Sequence, residues 1–136
     1  MIKKWIYVLI ILLLVVAGCS KSASTNKANL DEEVFEKGTK LVQYTYMEVN
    51  DEDVPEEELK ELLKWYSNKV ELEEYASEEE ELFFSKLYLI KLNQKISSIQ
   101  SLNDKLSGKS GNNDSKREDI EILFQEIEDI FGIIYK

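Results

Sequence analysis

The chain has no histidine, one cysteine (Cys19), one arginine (Arg117) and one proline (Pro55) in 136 residues. Without histidine, Ser-His and Cys-His nucleophilic catalysis are excluded in their usual forms, and so are the common His/Cys zinc sites. A lone cysteine forbids an intramolecular disulfide. A single arginine leaves little scope for bidentate phosphate recognition. Few Gly and Pro argue against an all-β fold, which needs many turns. Basic residues are also outnumbered: 17 against 27 acidic, a formal charge of −10. That balance disfavours nucleic acid as a partner, since phosphate binding needs clustered cations. An acidic surface also resists anionic headgroups, so attachment to a membrane would need a separate anchor.

What is present begins with such an anchor. Lys3 and Lys4 form a short basic start. Trp5 to Val16 then run without a charge. This apolar stretch is short for a spanning helix, which needs about 20 residues, and has the length of a signal-peptide core. Val16-Ala17-Gly18-Cys19 follows: a branched aliphatic, two small residues, then cysteine. This quartet resembles the lipobox of bacterial lipoproteins, and the resemblance spans about the first twenty residues. It implies a diacylglyceryl group on the Cys19 sulfur, cleavage after Gly18, and an N-acyl group as a further addition. It implies nothing about the domain beyond. The organisation expected is a signal peptide over 1–18, the lipidated cysteine and a flexible tether over 19–29, and an acidic helical domain over 30–136. Loss of Lys3 and Lys4 takes the side-chain charge to −12. The location expected is the extracytoplasmic face of the cell membrane.

The rest of the chain reads as all-α, a small antiparallel bundle of three to four helices. Leu30, Val34, Leu41 and Tyr44 or Thr45 lie near one stripe of a helix from Asp31 to about Glu48, with Phe35, Val42, Tyr46 and Val49 on its flank, although Tyr44–Val49 also suits a strand. Gly38 weakens this helix by about 1 kcal/mol relative to alanine. Asp53 is the expected cap of the next helix, with Pro55 in its first turn. Leu59, Leu62, Leu63, Tyr66 and Val70 then form an amphipathic stripe. Ser77 and Glu80 form a capping box opening a long helix to about Leu106. Its main stripe is Tyr88, Leu89, Leu92, Ile96, Ile99 and Leu106. Phe83, Leu87 and Ile90 lie roughly opposite. Two apolar sides suggest a central helix. Ser107–Lys116 reads as a loop, with Ser115 to Glu118 as a second capping box. Ile120, Leu123, Phe124, Ile127, Ile130, Phe131 and Ile134 share one face of the last helix.

Candidate chemistry is sparse. Gly108-Lys109-Ser110-Gly111 lacks phosphate-loop spacing. Glu56–Glu58 and Glu78–Glu81 suit helix first turns, where the dipole favours carboxylates. Asp51-Glu52-Asp53 lacks the glycine of a calcium loop. No metal or cofactor beyond the lipid on Cys19 is expected, and no catalytic residue. Trp65 lies off its helix stripe, which suits either flank packing or a partner-facing anchor. Phe83, Leu87 and Ile90 suit either internal core or a partner groove. These four residues are the candidate partner-binding set. The expected function is a non-enzymatic protein-binding lipoprotein, whose partner is another envelope protein or an incoming one. The exclusion or immunity type is one version, by analogy of size and anchor alone. The alternative is a structural or accessory subunit of a cell-envelope complex.

Overall fold

The computed structural model describes residues 23–109 and 114–136. The signal segment, Cys19 and the start of the tether lie outside the described residues. Four α-helices and no strand occur among those described: α1 Glu32–Val49, α2 Glu56–Leu72, α3 Glu78–Ser107 and α4 Asp114–Phe131. Tyr44–Val49 completes α1 as helix.

The helix starts follow local chemistry. The Asp31 side chain caps α1 by accepting from Glu33 N at 3.0 Å. Ser77 Oγ accepts from Glu80 N at 3.2 Å, as a capping box requires. The reverse arm differs. Glu80 is buried, and its carboxylate accepts from Ala76 N at 2.9 Å and Asp31 N at 3.3 Å. One carboxylate therefore joins the start of α3 to the start of α1, satisfying donors that would otherwise be orphaned. Asp53 does not cap α2; Pro55 occupies that position, with no side-chain bond. α4 starts at Asp114, so Ser115 lies inside the helix instead of capping it.

Consecutive helices run antiparallel. Lys40 pairs with Glu58 at 2.7 Å while Lys37 lies over the Trp65 ring at 5.6 Å, so α2 descends as α1 rises. Phe83 meets Phe131 at 5.3 Å and Lys86 meets Glu126 at 2.7 Å, which sets α4 against α3 in the same sense. The core holds Val34, Leu41, Val42, Phe83, Phe84, Leu87, Ile90, Phe124, Ile127 and Phe131, all almost wholly buried. Gly38 belongs to this packing. A β-carbon there would stand 2.7 Å from Phe83 Cζ, so the glycine that weakens α1 makes room for a ring of α3.

α3 departs from expectation. Its first half is central, packed against α1, α2 and α4. Most of the stripe expected to be buried is exposed instead: Tyr88, Leu89, Leu92, Ile99 and Leu106 are open to solvent, and Ile96 is half-buried. Direction explains this: α1 and α4 flank α3 as far as Ser101 but meet its polar side, so the stripe looks away from both.

The two ends of the described chain meet. α4 stops at Phe131, and Gly132 turns left-handed at φ 73°. Ile134 therefore leaves the helical face expected for it. Thr25 N donates to Gly132 O at 2.9 Å and Lys27 N to Phe131 O at 3.2 Å. Ile134 N donates to Ser24 Oγ at 2.9 Å, and Asn26 brackets Leu30 through two bonds. The tether expected over 19–29 is thus bound to the bundle from Ser24 onward. Its polar composition hid these partners, which are mostly backbone groups.

Candidate functional site

A cleft of about 570 Å³ opens between α1 and α2. Antiparallel packing brings Phe35 and Thr39 of α1 opposite Leu62 and Trp65 of α2, which line it together. Lys37, Lys40, Glu36, Glu58 and Glu61 surround these walls. The cleft is of the size that admits a side chain or small ligand.

Trp65 is half-buried. Its ring packs on Phe84 at 5.5 Å, and Lys37 Nζ sits 5.6 Å from its centroid. Flank packing and partial exposure therefore coexist. Trp65 Nε1 and Thr39 Oγ1 are both buried and lack a hydrogen-bond partner among the described residues. Such atoms ordinarily find one, and each orphan costs about 1–3 kcal/mol. Tyr66 Oη is a third orphan, away from the cleft; burial pushes its phenol up to about 12.

One side of the cleft is fixed by a polar cluster. Tyr44 Oη donates to Glu58 Oε2 at 2.6 Å, and Lys40 Nζ to Glu58 Oε1 at 2.7 Å. The hydrogen bond from Lys40, then that from Tyr44, holds the Glu58 carboxyl below its usual 4.5. The bond to Glu58 raises Lys40 and Tyr44 above 10.5 and 10.0. A depressed carboxyl stabilises the fold above its ordinary value and loses that contribution as pH falls through the lowered one. A raised phenol or ammonium stabilises below its ordinary value and loses it as pH rises. The cluster is therefore whole between about pH 4.5 and 10. Glu58→Gln should flatten the acid limb of a stability-against-pH curve. An unchanged limb would mean that this carboxylate contributes nothing there.

The other partner-binding candidates lie elsewhere. Phe83, Leu87 and Ile90 are completely buried. They form one face of α3, but that face is core, and no partner reaches it in the folded domain. Their spacing is the same for a core and for a groove; only the placement of α1, α2 and α4 decides. Phe35 and Thr39 complete the cleft, and sequence reasoning missed them as a pair. Phe35 showed as a flank residue of α1, while a threonine inside a helix carries no periodic signal. Cys19 lies outside the described residues.

Among the described residues, no helix is long and apolar enough to cross a membrane, and no cluster of three or more Asp, Glu, His or Cys could hold a metal ion. No family model matches the chain, and no curated protein or solved structure matches it.

Proposed function

We propose that this is a membrane-anchored surface lipoprotein whose helical domain is a non-enzymatic protein-binding module. The anchor is the lipid on Cys19. The binding face is the cleft between α1 and α2, and the partner is another envelope protein or an incoming one. The observation that carries this reading is the half-buried Trp65 ring in a cleft that it lines with Phe35 and Leu62, among charges of both signs. A partner residue entering the cleft would exchange solvent-exposed apolar area for contact. Charges of both signs at the rim favour selection of one partner over others. Tryptophan with such surroundings is the residue type most enriched at binding hot spots.

Two variants test it. Cys19→Ala should abolish incorporation of a fatty-acid analogue and leave full-length precursor; normal labelling would overturn the anchor. Trp65→Phe keeps an aromatic ring against Phe84 and withdraws the rest of the indole from the cleft. It should cost less than about 1.5 kcal/mol of stability. With a photocrosslinking residue at Glu61 in intact cells, the native chain should yield a discrete adduct. The adduct should fall at least about tenfold in Trp65→Phe, the scale of a hot spot. Equal yields would remove Trp65 from the interface.

A further inference from the structure

The distal half of α3 is inverted relative to an ordinary bundle helix. Its inward side is polar: Gln94, Ser97, Ser98 and Ser101 line a cleft shared with Glu48, Asp51 and Arg117. Its outward side is apolar. Tyr88, Leu92, Ile99 and Leu106 are 52%, 39%, 52% and 79% exposed, with Leu89 and Leu102 beside them. From Tyr88 to Leu106 the row is about 27 Å long at 1.5 Å per residue. Scattered exposed leucines need no explanation, but a contiguous row does.

Charge distinguishes the occupant. The chain is strongly acidic, yet residues 82–109 hold five lysines and a single carboxylate, Asp104. At 100° per residue Lys95 lies within the row, between Leu92 and Leu102, while Lys91 and Lys105 fall to one side of it. Lys95 and Lys105 are exposed, and neither has an ion-pair partner among the described residues. Unpaired lysines within and beside an apolar row suit a helix lying in a lipid–water interface, where their stems follow the row and their ammonium groups reach the headgroups. A second copy packed face to face on the row would bring Lys95 into the contact with no carboxylate of the row to meet it.

The place where the described chain begins supplies the second constraint. Ser24 is held by Ile134 N, and only five residue steps separate it from Cys19. A fully extended chain covers at most about 18 Å in five steps. Ser24 sits at the Phe131 end of α4, which is also the Phe83 end of α3. The apolar row starts five residues beyond Phe83, so its near end stands close to the point of attachment.

We propose that the Tyr88–Leu106 row of α3 lies in the surface of an anionic lipid bilayer, with Lys95 and Lys105 on the headgroups. This rests on the lipid-anchor reading and adds an orientation to it: the acidic remainder of the domain is turned away from the bilayer.

The test uses the full mature lipidated chain on vesicles of phosphatidylcholine with about a third phosphatidylglycerol. Ile99→Cys and, separately, Leu102→Cys carry a nitroxide, as does Glu57→Cys for comparison. Flotation reads the anchor, and accessibility to a lipid-soluble against a water-soluble relaxant reads depth. The labels at 99 and 102 should lie beneath the headgroups while the label at 57 remains in water. Lys95→Glu with Lys105→Glu should still float but lose the immersion. A chain that floats with its 99 and 102 labels in water overturns the proposal and leaves the anchor standing. Spin–spin broadening at 99 would assign the row to a second copy and also overturn it. A chain that does not float overturns the anchor, and this orientation with it.

Discussion

Phe83→Ala is expected to lower the unfolding free energy by about 3–5 kcal/mol. A small domain has only about 5–15 kcal/mol in total, so the variant should be near the limit of folding. The ring is fully buried where three helices meet. It stands edge-on to Phe84 at 5.4 Å and to Phe131 at 5.3 Å, and it abuts Gly38 of α1. The void left by alanine cannot close easily, because the backbone of α1 at Gly38 is already at contact distance. Thermal unfolding followed by circular dichroism should show a fall of more than about 10 °C. A variant that melted like the native chain would show that Phe83 is not core, and would return it to the candidate partner-binding set.

Gly132→Ala should also be severe, for a different reason. The residue has φ 73°, a conformation that costs a non-glycine residue about 1 kcal/mol or more. Its β-carbon would meet the carbonyl oxygen of Thr25 at 1.9 Å. Backbone cannot rotate aside as a side chain can. The segment from Ser24 to Lys27 must lift away, losing the bonds of Thr25, Lys27 and Ser24 to the carboxy-terminal residues. At about 1 kcal/mol for each bond, the combined loss is roughly 3–5 kcal/mol. A second readout separates local from global damage. Trypsin should cut the variant after Lys27 under conditions in which the native chain resists. Unchanged melting together with unchanged cleavage would mean that the amino-terminal segment tolerates the displacement.

Helix positions were legible because apolar spacing and capping chemistry agree along most of the chain. Leu59, Leu62 and Tyr66 are buried as their stripe requires, and so are Ile120, Phe124, Ile127 and Phe131. Which stripe of α3 is buried was not legible. Both stripes have helical spacing, and the choice depends on the side from which the neighbouring helices pack. The clue was present in the polar residues: Gln94, Ser97, Ser98 and Ser101 share a side, but only the structure shows that side turned inward. The cleft at Trp65 was half legible. An off-stripe tryptophan marked one wall, whereas Phe35 and Thr39 come from another helix, and periodicity within one helix carries no record of what faces it. The clasp between the two ends was invisible for a related reason, since backbone groups have no sequence signature and the partners are 110 residues apart.

That clasp also bears on when the domain can finish folding. A chain made from its amino end has Ser24, Thr25 and Lys27 in place long before residues 131–134 exist. At about 5–20 residues per second, the wait is on the order of 5–20 s. Over that interval the helical hairpin of α1 and α2 can assemble from contacts close in sequence, whereas closure of the ends cannot begin. Residues 131–134 therefore supply partners that the Ser24–Lys27 segment must wait for, and a chain interrupted before Gly132 would leave the bonds of Thr25 N and Ser24 Oγ unmade.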